Sequence, residues 1–145
     1  MIRIGSVFIP VTDLDKATVW YEENLGVTKI DEWGEGTGKG AGFYFPNGPT
    51  QLGLVQVETS QPTEFQVQNE QKNSYFNFLV EDIYAFYHDL KCEGVKTSEI
   101  EKFGGMTCFD FYDPDGNPFS VVNEVKDSPF HSDEIKKRQK QKEVR

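Results

Sequence analysis

Apolar and polar positions along the chain follow two periods, and the same succession of the two occurs twice. Ile2–Val11 alternates weakly, as a half-buried strand does, and Ala17, Trp20, Tyr21 and Leu25 follow at helical spacing. Asp13 stands where a helix N-cap belongs and Gly26 where a left-handed C-terminal cap belongs. Strands are predicted over Val27–Trp33, Ala41–Phe45 and Gln51–Val57, with the glycine-rich Gly34–Gly42 as a flexible loop between the first two. No helix carrying a Lys-Ser/Thr pair follows that loop, which argues against a phosphate cradle. The polar, glutamine-rich Ser60–Lys72 reads as a linker. The succession then resumes: a strand over Ser74–Val80, and a helix capped by Asp82 with Ile83, Phe86, Tyr87 and Leu90 on one stripe, ended by Gly94. Strands at Val95–Ser98, Met106–Tyr112 and Phe119–Val125 complete it, with Gly104-Gly105 between the first two.

The turns repeat with the strands. Asp113-Pro114-Asp115-Gly116-Asn117-Pro118 joins the last two strands, and Pro and Asp-Gly supply the conformations a hairpin requires. Phe45-Pro46-Asn47-Gly48-Pro49 holds the matching place 68 residues earlier, while Val11-Thr12-Asp13-Leu14 matches Val80-Glu81-Asp82-Ile83 at an offset of 69. Two offsets agreeing within one residue predict a chain built twice from one β-α-β-β-β unit. The tail Lys126–Arg145 differs in composition, with nine charged residues in Asp133–Arg145 alone, and reads as a solvated helix or a fray.

Composition narrows the function. A length of 145 residues favours one domain, and 37% hydrophobic with 14% aromatic residues is globular. A formal charge of −9 opposes nucleic-acid binding, which needs clustered Lys and Arg, and suits a cationic or polar ligand. No run approaches the roughly 18 apolar residues of a membrane span. Met1–Pro10 is too short and too weakly apolar for a secretion signal, so a cytoplasmic location is expected, with Cys92 and Cys108 as reduced thiols.

The paired units, the run Val11-x-Asp13-Leu14-x-Lys16 leading to Trp20-Tyr21-x-x-x-Leu25-Gly26, and the Asp113-to-Asn117 hairpin resemble the vicinal oxygen chelate superfamily. This is the group of glyoxalase I, bleomycin resistance proteins and extradiol dioxygenases, and the resemblance covers about residues 2–125. It implies an α+β fold in which two tandem βαβββ modules, about 1–59 and 73–125 with linker 60–72, form a curled mixed sheet around a central cup. It also implies a homodimer.

In enzymes of that family, His, Gln or Glu from the first and last strands of each module hold a divalent metal at the floor of the cup. Carried onto this chain, those positions are Ser6, Tyr75, Ser120 and a fourth near Gln51–Gly53, which is Gly53 by the best alignment and Leu52 by the internal repeat. Transition metals prefer imidazole, thiolate or carboxylate donors, so no metal and no other cofactor is expected. His88, on a helix, and His131, in the tail, do not belong to this floor.

A cup without its metal remains a binding site. Strand alternation lines it with Ser6, Phe8, Trp33, Tyr75, Asn77, Asp110, Tyr112, Ser120 and Glu124, and places Cys108 on the same face. Asp110 and Glu124 would meet a cationic or hydrogen-bonding guest, and the aromatic residues would wall a planar one. The expected function is metal-independent binding of a small molecule, as in drug-sequestering resistance proteins, with no catalytic residue assigned. The alternatives are a lyase or dioxygenase with an atypical metal site, a metal-free catalyst using Asp110 or Glu124, and a protein-interaction module.

Overall fold

The structure is a computed structural model that describes residues 1–143. The chain divides into two compact units. The first comprises Met1–Tyr75 with Tyr112–Pro118; the second runs over Phe76–Phe111 and resumes at Phe119.

The first unit holds a four-stranded sheet of β1 (Ser6–Val11), β2 (Thr28–Trp33), β3 (Gly40–Tyr44) and β4 (Gln51–Gln56), in the order β1-β4-β3-β2. β1 and β4 run parallel, and the other neighbours are antiparallel. Helix α1 (Leu14–Leu25) starts as its sequence dictates: the Asp13 side chain accepts a hydrogen bond from the Lys16 N–H at 3.1 Å. It stops at Gly26, whose φ of 69° is the left-handed cap that glycine adopts without a Cβ penalty. Leu14, Ala17 and Tyr21 on α1 are buried together with Ile9, Val11, Ala41, Phe43, Leu52 and Leu54 from the sheet. Each large apolar side chain removed from water stabilises the unit by about 1.5–3 kcal/mol.

The second unit repeats the plan with β7 (Asn77–Val80), β8 (Glu101–Phe103), β9 (Met106–Tyr112) and β10 (Pro118–Asn123), in the order β7-β10-β9-β8. β7 and β10 are again parallel. Helix α2 (Ile83–Cys92) is capped by Asp82, which accepts from the Ala85 N–H at 3.0 Å. Phe86 and Tyr87 on α2 set their rings against Phe109 and Phe111, and Phe78 and Phe119 extend this aromatic core. Among the described residues, no helix is long and apolar enough to cross a membrane.

Four expectations are corrected. The first strand begins at Ser6 rather than Ile2, because its partner β4 begins opposite it at Gln51. The expected linker contains a hairpin, β5 (Glu64–Gln68) and β6 (Gln71–Ser74), turned at Glu70, whose φ is 59°. The predicted strand Ser74–Val80 is consequently split, with Ser74 ending β6 and Asn77 beginning β7. Val95–Ser98 makes one bridge, Thr97 to Phe111, while the edge strand forms further on as the charged β8. The tail carries helix α3 (Ser132–Glu143); Val144 and Arg145 lie outside the described residues.

Candidate functional site

In each unit one sheet face packs on its helix, and the opposite face is where the predicted site residues fall. In the first unit, Ser6 lies opposite Gln51 and Phe8 opposite Gly53. Leu52 and Leu54 alternate to the helix side and are buried. Gly53 in turn faces Gly42, and Trp33 faces Gly40. Ser6, Phe8 and Trp33 therefore share a face. Gly53 and Gly40 are what permit the aromatic arrangement: a Cβ at Gly53 would stand 2.5 Å from Phe8 Cδ1, and one at Gly40 would fall on the Trp33 indole. Phe8 remains 61% exposed and Trp33 44% exposed.

In the second unit, Ser120 pairs with Asn77, and β9 alternates buried Thr107, Phe109 and Phe111 with half-exposed Cys108, Asp110 and Tyr112. Asn77, Asp110, Tyr112 and Ser120 thus lie on the side of their strands away from the buried Phe109, Phe111 and Val121. Burial pushes the Asp110 carboxyl above its ordinary value; the Ser120 hydroxyl, donating to it, pulls it back, and Glu101 pushes it further up. Asp110 also holds its strand in place: its N–H donates to Ser98 Oγ and its carbonyl accepts from the Ser98 N–H, both at 2.8 Å. Burial, then Glu101 and Asp110, raises the Cys108 thiol. Glu101 was missed in the sequence because its strand was placed at Val95–Ser98; its register opposite Cys108 brings it to this face.

Two further residues are placed differently. Tyr75 lies between β6 and β7 rather than within a strand, 69% exposed, with its ring 5.1 Å from that of Phe65. Glu124 lies just past β10, where its Oε1 accepts from the Ser132 N–H at 2.9 Å and from the Ser132 hydroxyl. His131 Nε2 stands 3.7 Å from its other oxygen. These contacts, the Ser132 hydroxyl first, hold the Glu124 carboxyl below its ordinary range. Its first role is to fasten the start of α3.

The positions implied for a metal can be tested against this geometry. Phe8–Gly53 and Asn77–Ser120 are equivalent pairs of the two sheets, so the counterpart of Ser120 is Gly53 and not the buried Leu52. Gly53 offers no donor, and the Phe8 ring lies over it. Ser6 offers a neutral hydroxyl, and the Ser120 hydroxyl is directed to Asp110. Among the described residues, no three His, Cys, Asp or Glu side chains converge as ligands. The donor set does not fit a divalent metal.

The most specific motif turns out to be a joint. Asp115 Oδ2 accepts from the Thr12 N–H at 3.1 Å, and Asn117 Nδ2 donates to the Pro10 carbonyl at 3.0 Å, tying the 113–117 loop to the end of β1 within the first unit. A cleft of about 250 Å³ beside it is lined by Thr12, Asp13, Lys16, Ala17, Pro114 and Asp115, a more polar set than the mostly apolar walls of a ligand site.

Compared with known proteins, the chain matches the Glyoxalase/Bleomycin resistance protein/Dioxygenase superfamily over residues 3–121. It belongs to that family. No curated protein matches it in sequence. Among solved structures, a superfamily member from Sphaerobacter thermophilus superposes with a TM-score of 0.70 at 25% identity, covering 86% of this chain and 98% of that one. TnmS3, an antibiotic binding protein from Streptomyces, gives a TM-score of 0.66 at 18% identity, with 86% and 98% covered. FosX, a fosfomycin resistance protein from Listeria monocytogenes, gives 0.66 at 15%, with 87% and 96% covered.

Proposed function

We propose that this protein binds a small organic molecule without a metal ion, as a homodimer in the cytoplasm, and sequesters it rather than transforming it. The observation that carries this reading is the Phe8–Gly53 pair: a family donor position is a glycine, and an aromatic ring lies over it. Each open face is suited by itself to holding a guest: that of the first unit bears aromatic rings, and that of the second bears the Asp110–Ser120 hydrogen bond. The antibiotic-binding relative of the same fold is consistent with it. The experiment is thermal unfolding of metal-free protein against a library of drug-like compounds, paired with elemental analysis of protein purified without chelator. Stabilisation by a compound, unchanged by added zinc or manganese, is the expected result. About one equivalent of metal retained through dialysis and needed for stabilisation would return the protein to the family's metalloenzymes.

A second reading, metal-free acid–base catalysis, is favoured only by the raised carboxyl of Asp110. It requires turnover of a bound compound that Asp110→Asn abolishes while leaving binding intact.

A further inference from the structure

We propose that the open face of the first unit is a stacking platform for a planar aromatic molecule, neutral or positively charged. This rests on the small-molecule-binding reading above and gives it a ligand class.

Three glycines lie on the two central strands of this sheet, Gly53 on β4 and Gly40 and Gly42 on β3, with Gly42 directly opposite Gly53. Glycine inside a strand costs roughly 0.5–1 kcal/mol relative to alanine, and it often marks a close approach. Here the approach is made by two rings arriving from opposite edges of the sheet. Phe8 reaches in from β1, with Cδ1 and Cε1 at 2.5 and 2.6 Å from where a Gly53 Cβ would stand. Trp33 reaches in from β2, lying where a Gly40 Cβ would be and passing 3.7 Å from that of Gly42. Each ring occupies the space that a glycine Cβ would fill, and both side chains stay partly exposed to water. Two bared aromatic surfaces on one glycine floor fit a flat partner that covers both.

Charge sets the second half of the class. Within the strand residues that alternate onto this face, Asp31, opposite Gly42, is the only one charged at neutral pH. Lys29 lies opposite the buried Phe43 and so points to the helix side. An anionic guest would meet a like charge in Asp31, whereas a cation would gain from the aromatic rings and from Asp31.

The test follows the anisotropy of proflavine, a planar tricyclic cation, titrated with the unmodified protein, Gly53→Ala and, as a control outside the platform, Gly5→Ala. The three atoms nearest a Cβ at Gly53 all belong to the Phe8 ring, so the ring must swing off while the backbone stays; a Cβ at Gly5 meets nothing within 4 Å. Proflavine should bind the unmodified protein and Gly5→Ala alike, and Gly53→Ala at least about tenfold more weakly. Trp33→Leu should lose binding similarly, which covers the case of an unfolded Gly53→Ala. The planar anion anthracene-2-carboxylate and the globular cation 1-adamantylamine should not displace the dye. Equal proflavine affinity in all the variants would overturn the platform while leaving small-molecule binding standing. So would stabilisation by non-planar compounds in a protein that ignores proflavine. Sedimentation closes the remaining route: a dimer that Gly53→Ala dissociates would mean that a second copy, not a ligand, covers this face.

Discussion

The Tyr21 hydroxyl donates to Asp113 Oδ2 at 2.6 Å, deep inside the first unit, linking α1 to the loop that follows β9. Asp113 is saturated: Asn117 Nδ2 also reaches Oδ2 at 2.7 Å, and the N–H groups of Asp115 and Asn117 reach Oδ1 at 2.9 and 2.8 Å. Burial pushes this carboxyl up, and the donors from Tyr21, Asn117 and Asp115 pull it part of the way back. Four donors aimed at two oxygens explain why the turn carries Asp at its first position.

Tyr21→Phe removes one donor and keeps the ring in the core. Asp113 then holds a buried oxygen with one fewer partner, at a cost of about 1–3 kcal/mol. The urea midpoint should fall with an unchanged slope. A midpoint equal to that of the unmodified protein would show that water replaces the hydroxyl without loss.

Alkali should act on the same pair. Burial, then Asp113, raises the Tyr21 phenol far above its ordinary 10.0. Because the folded value is the higher one, its contribution to stability is complete below pH 10.0 and is lost as pH rises above it. Urea midpoints measured across this range should fall more steeply for the unmodified protein than for Tyr21→Phe. Parallel curves would remove Tyr21 as the cause.

The repeated βαβββ plan was legible because both helices carry strong signals, Asp13 and Asp82 as caps and Gly26 as a stop. The faces of β9 and β10 were legible for a similar reason, since Phe109 and Phe111 alternate strictly with Cys108 and Asp110. Where strands are polar, the pattern was silent. β8 reads Glu-Lys-Phe at a sheet edge, and the β5–β6 turn has Glu70 rather than glycine at positive φ. The alternation of Phe65 and Val67 was the available signal for that hairpin. Gly40 and Gly42 read as part of a flexible loop, and Gly53 as a ligand position without a donor; only pairing shows that they form a floor.

The thiol of Cys108 reports on its neighbours. Glu101 and Asp110 add to burial in raising it, so neutralising either should increase the thiolate fraction. In a Cys92→Ser background, Glu101→Gln should speed iodoacetamide alkylation at pH 8, and Asp110→Asn should do so to a smaller extent. Identical rates would place Glu101 away from the sulfur and remove the register that pairs β8 with β9.

Acid should loosen α3 through Glu124. Its carboxylate accepts both hydrogen bonds of Ser132 at the first residue of that helix, where the helix dipole also favours negative charge. The folded value lies below the ordinary 4.5, so the contribution is present above pH 4.5 and is lost as pH falls through the folded value. Amide exchange at Ser132 and through the first turn of α3 should therefore accelerate there, relative to the core strands. Glu124→Gln keeps an acceptor oxygen but cannot titrate, so its α3 amides should exchange faster at neutral pH and lose the acid dependence. Protection in α3 that is the same at pH 7 and pH 3 in the unmodified protein would detach the helix from Glu124 and free that carboxylate for a ligand.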